Sequence, residues 1–97
     1  MWNVVFTKQA AKDAKLLKAA GLDKKAKTLV DLVREDPFAT QPSYEALVGN
    51  LSGLYSRRIN LQHRFVYQVI DEPVTIEGVS YRGSVKVVRM WTHYGDV

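Results

Sequence analysis

The chain has 97 residues, 46% of them hydrophobic, and no cysteine; that apolar content supports one core and is too small to divide between two, so a single domain over residues 1–97 is expected. Fourteen Lys and Arg against ten Asp and Glu give a formal charge of +4, which favours a polyanionic partner, nucleic acid or an acidic polypeptide, without choosing between them. The lack of cysteine excludes a disulfide framework and a thiolate metal site.

The opening residues hold only a short apolar run, so neither a membrane span nor a signal peptide is expected, and the reading is a soluble cytoplasmic protein with no membrane partner. "WNVVF" is β-branched and aromatic over a strand-sized run, and Thr7 then offers a helix N-cap. In "TKQAAKDAKLLKAAG" Ala10, Ala14 and Leu17 recur at helical spacing, with Gly21 placed to end the helix. Asp23 is the expected cap of a second helix whose inward stripe is Ala26, Leu29, Val30 and Val33, stopped by Pro37. The two helices should form a hairpin.

Residues 37–53, "PFATQPSYEALVGNLSG", carry two prolines and two glycines and read as loop, with one short helical turn expected around Tyr44 to Leu47. Three strand-like runs follow, "LYSRRIN", "RFVYQVID" and "SVKVVRMW". The stretch "EPVTIEGVSYRG" between the last two reads as an extended hairpin. A strand and two helices followed by consecutive strands predict an α+β domain with a small, largely antiparallel sheet.

Three features carry chemistry. In "YSRRIN" Arg57 and Arg58 must face opposite ways if the run is extended, and Arg64 opens the next strand across a short turn. Two guanidiniums can then share a face and cradle a phosphate, or simply pair as solvated charges with Asp36, Asp71 or Glu72. His93 and Tyr94 follow the last apolar strand; the histidine reads either as a strand-end surface residue or as a proton donor beside a stacking phenol. Glu45 is the only acidic residue between Asp36 and Asp71, and reads as an ion-pair partner or as a base. Such residue types suit metal-free RNA cleavage, in which a base activates a ribose 2′-hydroxyl, arginines stabilise the phosphate and an acid protonates the leaving oxygen. Two histidines, no cysteine and scattered carboxylates show no metal-ligand spacing, no glycine-rich phosphate loop is present, and no cofactor is expected.

The stretch "YEALVGNLSGLYSRRINLQHRFVYQV", closed by "RMWTHY", resembles the YoeB/Txe toxins of type II toxin–antitoxin systems, within the RelE superfamily. The resemblance covers about half the chain and implies a RelE-like, microbial-ribonuclease-like fold. It also implies a ribosome-dependent mRNA endoribonuclease that cuts at the A site, and a cognate antitoxin of the YefM/Axe kind that supplies an acidic, partly disordered segment. Operator DNA would be reached only through the antitoxin complex. Carried over by motif, Glu45 is the base, Arg64 contacts the scissile phosphate, His93 is the acid and Tyr94 helps hold RNA. Arg57 and Arg58 are assigned to RNA-backbone contact and local charge, with a structural role as the alternative for Arg58, while His63, in the "QHR" turn, is either structural or an RNA contact. Residues 72–86 are longer than in the shortest family members and should form an added β-ribbon. Charge crowded around base and acid should leave the isolated protein a poor nuclease, with the ribosome supplying orientation. A non-catalytic RNA-binding module that stalls translation, and a scaffold for an acidic protein, are the competing readings.

Overall fold

The structure is a computed structural model and describes residues 1–91. Its elements run β1 (Asn3–Phe6), α1 (Lys8–Ala19), α2 (Asp23–Glu35), β2 (Tyr44–Ala46), a 3₁₀ turn (Gly49–Leu51), β3 (Leu54–Arg58), β4 (Arg64–Ile70), β5 (Val74–Ile76), β6 (Val79–Tyr81) and β7 (Ser84–Arg89). Five strands form one sheet in the order β1-β7-β4-β3-β2, antiparallel except for the β1–β7 pair. The expected α+β class and helical hairpin are present.

Thr7 caps α1 as expected, its hydroxyl accepting from the Ala10 amide at 3.0 Å, and Gly21 follows the last turn at φ +75°, a conformation costly for a side chain with Cβ. Two details of the helices differ from the expectation. The N-cap of α2 is Leu22, and Asp23 is already helical with no capping bond. The turn is too short for Asp23 to stand outside: the Leu22 amide still donates to Leu17 in α1. At the first helical position the Asp23 carboxylate still meets the positive end of the helix dipole. In α1 the inward place expected of Ala14 goes to Asp13, which is fully buried, while Ala14 is exposed.

The core lies between the helices and one sheet face. Leu17, Leu29 and Val33 meet Phe65, Tyr67, Val85 and Val87, with Trp2 and Met90 closing the end. Trp2 demands a close approach: a Cβ on Gly83 would sit 2.6 Å from its ring and would collide with the Ile70 carbonyl. Only glycine fits there. The helical turn expected at Tyr44–Leu47 is absent, because Tyr44, Glu45 and Ala46 instead extend the sheet as edge strand β2, paired with Arg57, Ser56 and Tyr55. The nearest helical turn comes three residues later, at Gly49–Leu51. Residues 72–83 do form the expected hairpin, β5 with β6, around Glu77 and Gly78, both at positive φ as a two-residue primed turn requires.

Candidate active site

Strand pairing assembles the site. Glu45 of β2 lies opposite Ser56 of β3, and Arg58 at the end of β3 lies opposite Arg64 at the start of β4. Since successive strand residues alternate faces, Glu45, Ser56, Arg58 and Arg64 share the face turned away from Phe65 and Tyr67. Arg64 Nε donates to Ser56 Oγ at 2.8 Å and its Nη2 to Glu45 Oε1 at 2.6 Å. The Arg64 side chain is 12% exposed and that of Glu45 49% exposed, so the carboxylate stands at the open edge while the guanidinium is seated below it. A half-exposed ion pair of this kind adds at most about 1 kcal/mol to stability, so fold maintenance is a weak account of the geometry.

The pair opens onto a groove of about 880 Å³ between the first turns of α2, the loop before β2 and the β3–β4 turn. Among the described residues Lys25, Arg58 and Arg64 bring three cations to its lining, against Glu45 as the one carboxylate. A basic groove with a single base and a fixed guanidinium matches a phosphodiester whose neighbouring hydroxyl must lose a proton.

A family model for the YoeB-like toxin of bacterial type II toxin-antitoxin systems matches residues 6–94. The chain belongs to the YoeB family. Among curated relatives, Toxin YoeB of Synechocystis sp. is 42% identical over 64 residues, 66% of this chain and 67% of that protein. Among solved structures, the YoeB/ParE toxin from Agrobacterium tumefaciens superposes with a TM-score of 0.75 at 29% identity, covering 95% of this chain and 99% of that one. The YoeB-YefM complex from Staphylococcus aureus gives 0.70 at 29% identity, covering 97% and 99%. This YoeB-family chain is thus a type II toxin with a RelE-like fold, as its "NLSG…SRRI…HR" sequence implied.

The structure brings Glu45, Arg58 and Arg64 together and buries Arg57 and His63, so that of the arginine pair the structural one is Arg57, not Arg58. Arg57 is 0% exposed. Its Nε donates to the Tyr67 hydroxyl at 3.0 Å, its Nη2 to the carbonyls of Pro37 and Ala39 at 2.9 Å each, and its Nη1 to the Pro42 carbonyl. The Tyr44 ring covers the cation with its centroid 4.9 Å away. Tyr67 is part of the same network: burial pushes its phenol up to about 12, and the protonated hydroxyl donates to the Pro37 carbonyl at 2.7 Å. Arg57 therefore pins the loop that precedes Glu45, and no surface is left for RNA. His63 is 5% exposed. Its ring stacks on Trp91 at 4.0 Å, its amide donates to Asn60 Oδ1, and its carbonyl accepts from the amides of Ile59 and Asn60. It builds the turn that presents Arg64. His93 and Tyr94 lie outside the described residues.

Sequence reasoning missed a second anchor in this YoeB-family chain. Asp13 Oδ2 accepts from Arg89 Nε at 2.9 Å and from the Met90 amide at 3.0 Å, and Oδ1 accepts from Gln9. This ties α1 to the end of β7, the strand that leads to residues 92–94. Asp13 stands three residues after Ala10 and four before Leu17, so helical spacing did mark it as inward and in need of a partner. Burial raises its pKa, but the bonds from Met90, Gln9 and Arg89 outweigh that and hold the carboxyl below the ordinary 3.8. With a lowered folded value, the stabilisation is complete above the unfolded pKa and is lost as pH falls through the folded one. Asp13→Asn should therefore cost about 1–3 kcal/mol at pH 7, and the gap to wild type should narrow below about pH 4. Urea unfolding at pH 7 and pH 3 measures both; a gap of constant size would contradict the ionised clamp.

Proposed function

We propose that this YoeB-family toxin is a ribosome-dependent mRNA endoribonuclease that cleaves at the A site without a metal ion. The observation that carries this reading is the Glu45–Arg64–Ser56 arrangement at the edge of a basic groove. Glu45 takes the proton from a ribose 2′-hydroxyl as its oxygen attacks phosphorus. The bond to the 5′-oxygen then breaks, leaving a 2′,3′-cyclic phosphate and a 5′-hydroxyl end. Arg64, joined by exposed Arg58, stabilises the charge building on the phosphate. The family resemblance assigns protonation of the leaving oxygen to His93 and support of the RNA to Tyr94. The ribosome's part is orientation: a bent, in-line message removes a large share of the barrier that a small open groove leaves standing.

The partner in the cell is a YefM-like antitoxin, as the complexed Staphylococcus aureus relative suggests. An acidic segment that folds onto the basic groove would cover Glu45 and Arg64 together, and operator DNA would be met through that complex. The proposed setting is cytoplasmic. Among the described residues no helix is long and apolar enough to cross a membrane.

The test is end analysis of an mRNA incubated with the toxin and programmed ribosomes in the presence of a chelator that leaves the ribosomes intact. Cyclic-phosphate and 5′-hydroxyl ends at A-site positions are expected; 5′-phosphate ends would point to water as nucleophile and sink the mechanism. Ser56 gives a finer check. Ser56→Ala removes the hydroxyl that accepts from Arg64 Nε, a loss of about 1 kcal/mol in orientation. Single-turnover cleavage should fall by about five-fold, with Ser56→Thr recovering part of it.

A further inference from the structure

The groove is larger than the reacting phosphodiester needs. Its far wall is formed by α2, where Lys25 is exposed, and its lip by the β3–β4 turn, where Leu61 is 84% exposed. Both line the same cavity as Glu45 and Arg64. Among the described residues neither Lys25 nor Arg58 takes part in an ion pair, whereas Lys27, two positions along α2 and outside the cavity, is paired with Asp31 at 3.0 Å. Among the described residues the groove thus carries two cations with no protein counter-charge, and Lys25 is the one that the cleavage step does not use. A single exposed leucine means little on an ordinary surface. In the lining of the cavity that Lys25 also lines, it completes what a nucleotide needs: a charge for its phosphate and an apolar platform for its base.

We infer that Lys25 and Leu61 form a second nucleotide subsite in the groove, Lys25 holding the phosphate of the residue next to the scissile one and Leu61 packing against its base. The occupant is single-stranded RNA. A cavity of about 880 Å³ falls in the range that encloses a ligand of several rings, and it is continuous with the proposed cleavage site. Leu61 has no hydrogen-bonding group, so the subsite reads the face of a base and not its edge, and it tolerates any of the four. The inference rests on the nuclease reading for the identity of the ligand, but it is tested by binding alone.

The probes are 2′-O-methyl RNA oligonucleotides of two and four nucleotides, which cannot be cleaved, titrated into the isolated toxin at several salt concentrations. Wild type should bind the longer one about ten-fold more tightly. Lys27→Ala should keep that gain. Lys25→Ala should abolish most of it and lower the salt dependence by about one counterion, and Leu61→Ser should remove a part without changing the salt slope. Equal affinities of wild type for both lengths would overturn the subsite. So would a full length gain in Lys25→Ala, or a Lys25→Ala defect confined to an acidic peptide probe. Cleavage by wild type on ribosomes, measured separately, keeps the fate of the nuclease reading distinct from that of the subsite.

Discussion

Arg57→Met should lower the unfolding free energy by about 3–5 kcal/mol, a large part of the margin of a domain this size. The methionine fills most of the space, but the Tyr67 hydroxyl and the carbonyls of Pro37, Ala39 and Pro42 lose their common donor. Each buried acceptor left without a partner costs about 1–3 kcal/mol, partly recovered where the loop can rearrange toward water. At about 4–8 °C per kcal/mol, the melting temperature should drop by more than about 12 °C. Arg58→Ala is the contrasting change: an exposed residue with no ion pair among the described residues should shift stability by less than about 0.5 kcal/mol. Its loss should instead weaken cleavage. Thermal unfolding and ribosome cleavage of the two variants side by side separate the roles of two adjacent arginines; a stable Arg57→Met would contradict the network.

Glu45→Gln is the second large effect, and it is an effect on rate. The amide oxygen can still accept from Arg64, and the Glu45 side chain is half exposed, so folding should be nearly unchanged. What disappears is the proton acceptor, and a positioned general base contributes about 10²–10⁴ in rate. Cleavage on ribosomes should fall by that factor while ribosome binding stays within about two-fold of wild type. A fall in binding of the same size as the fall in cleavage would instead make Glu45 a docking residue.

Much of this arrangement was legible in the residues themselves. Thr7 and Gly21 bound α1 as the sequence indicates, and "EPVTIEGVSYRG" forms the hairpin its turn residues call for. Alternation in "YSRRIN" already separated Arg57 from Arg58. Which of the two faces the helices depends on packing, since only contact with Tyr67 and the loop carbonyls makes burial of a guanidinium tolerable. Strand β2 was hidden for a related reason. "YEA" has no strand pattern of its own and becomes extended because Ser56 and its neighbours offer an unpaired edge. The Asp13 clamp shows the same limit: helical spacing points the carboxylate inward, but its partner Arg89 is 76 positions away.

The proposed cleavage turns on the chemistry at Glu45. End-mapping of one mRNA on programmed ribosomes, with wild type and Glu45→Gln at equal ribosome occupancy and with the same RNA free in solution, tests it most directly. A cut at the A site by wild type that requires the ribosome and drops by at least about 10² in the variant is the predicted result. Undiminished cutting by Glu45→Gln would remove the base from the mechanism, and no cutting by a folded, ribosome-bound wild type would leave a module that blocks translation by binding alone.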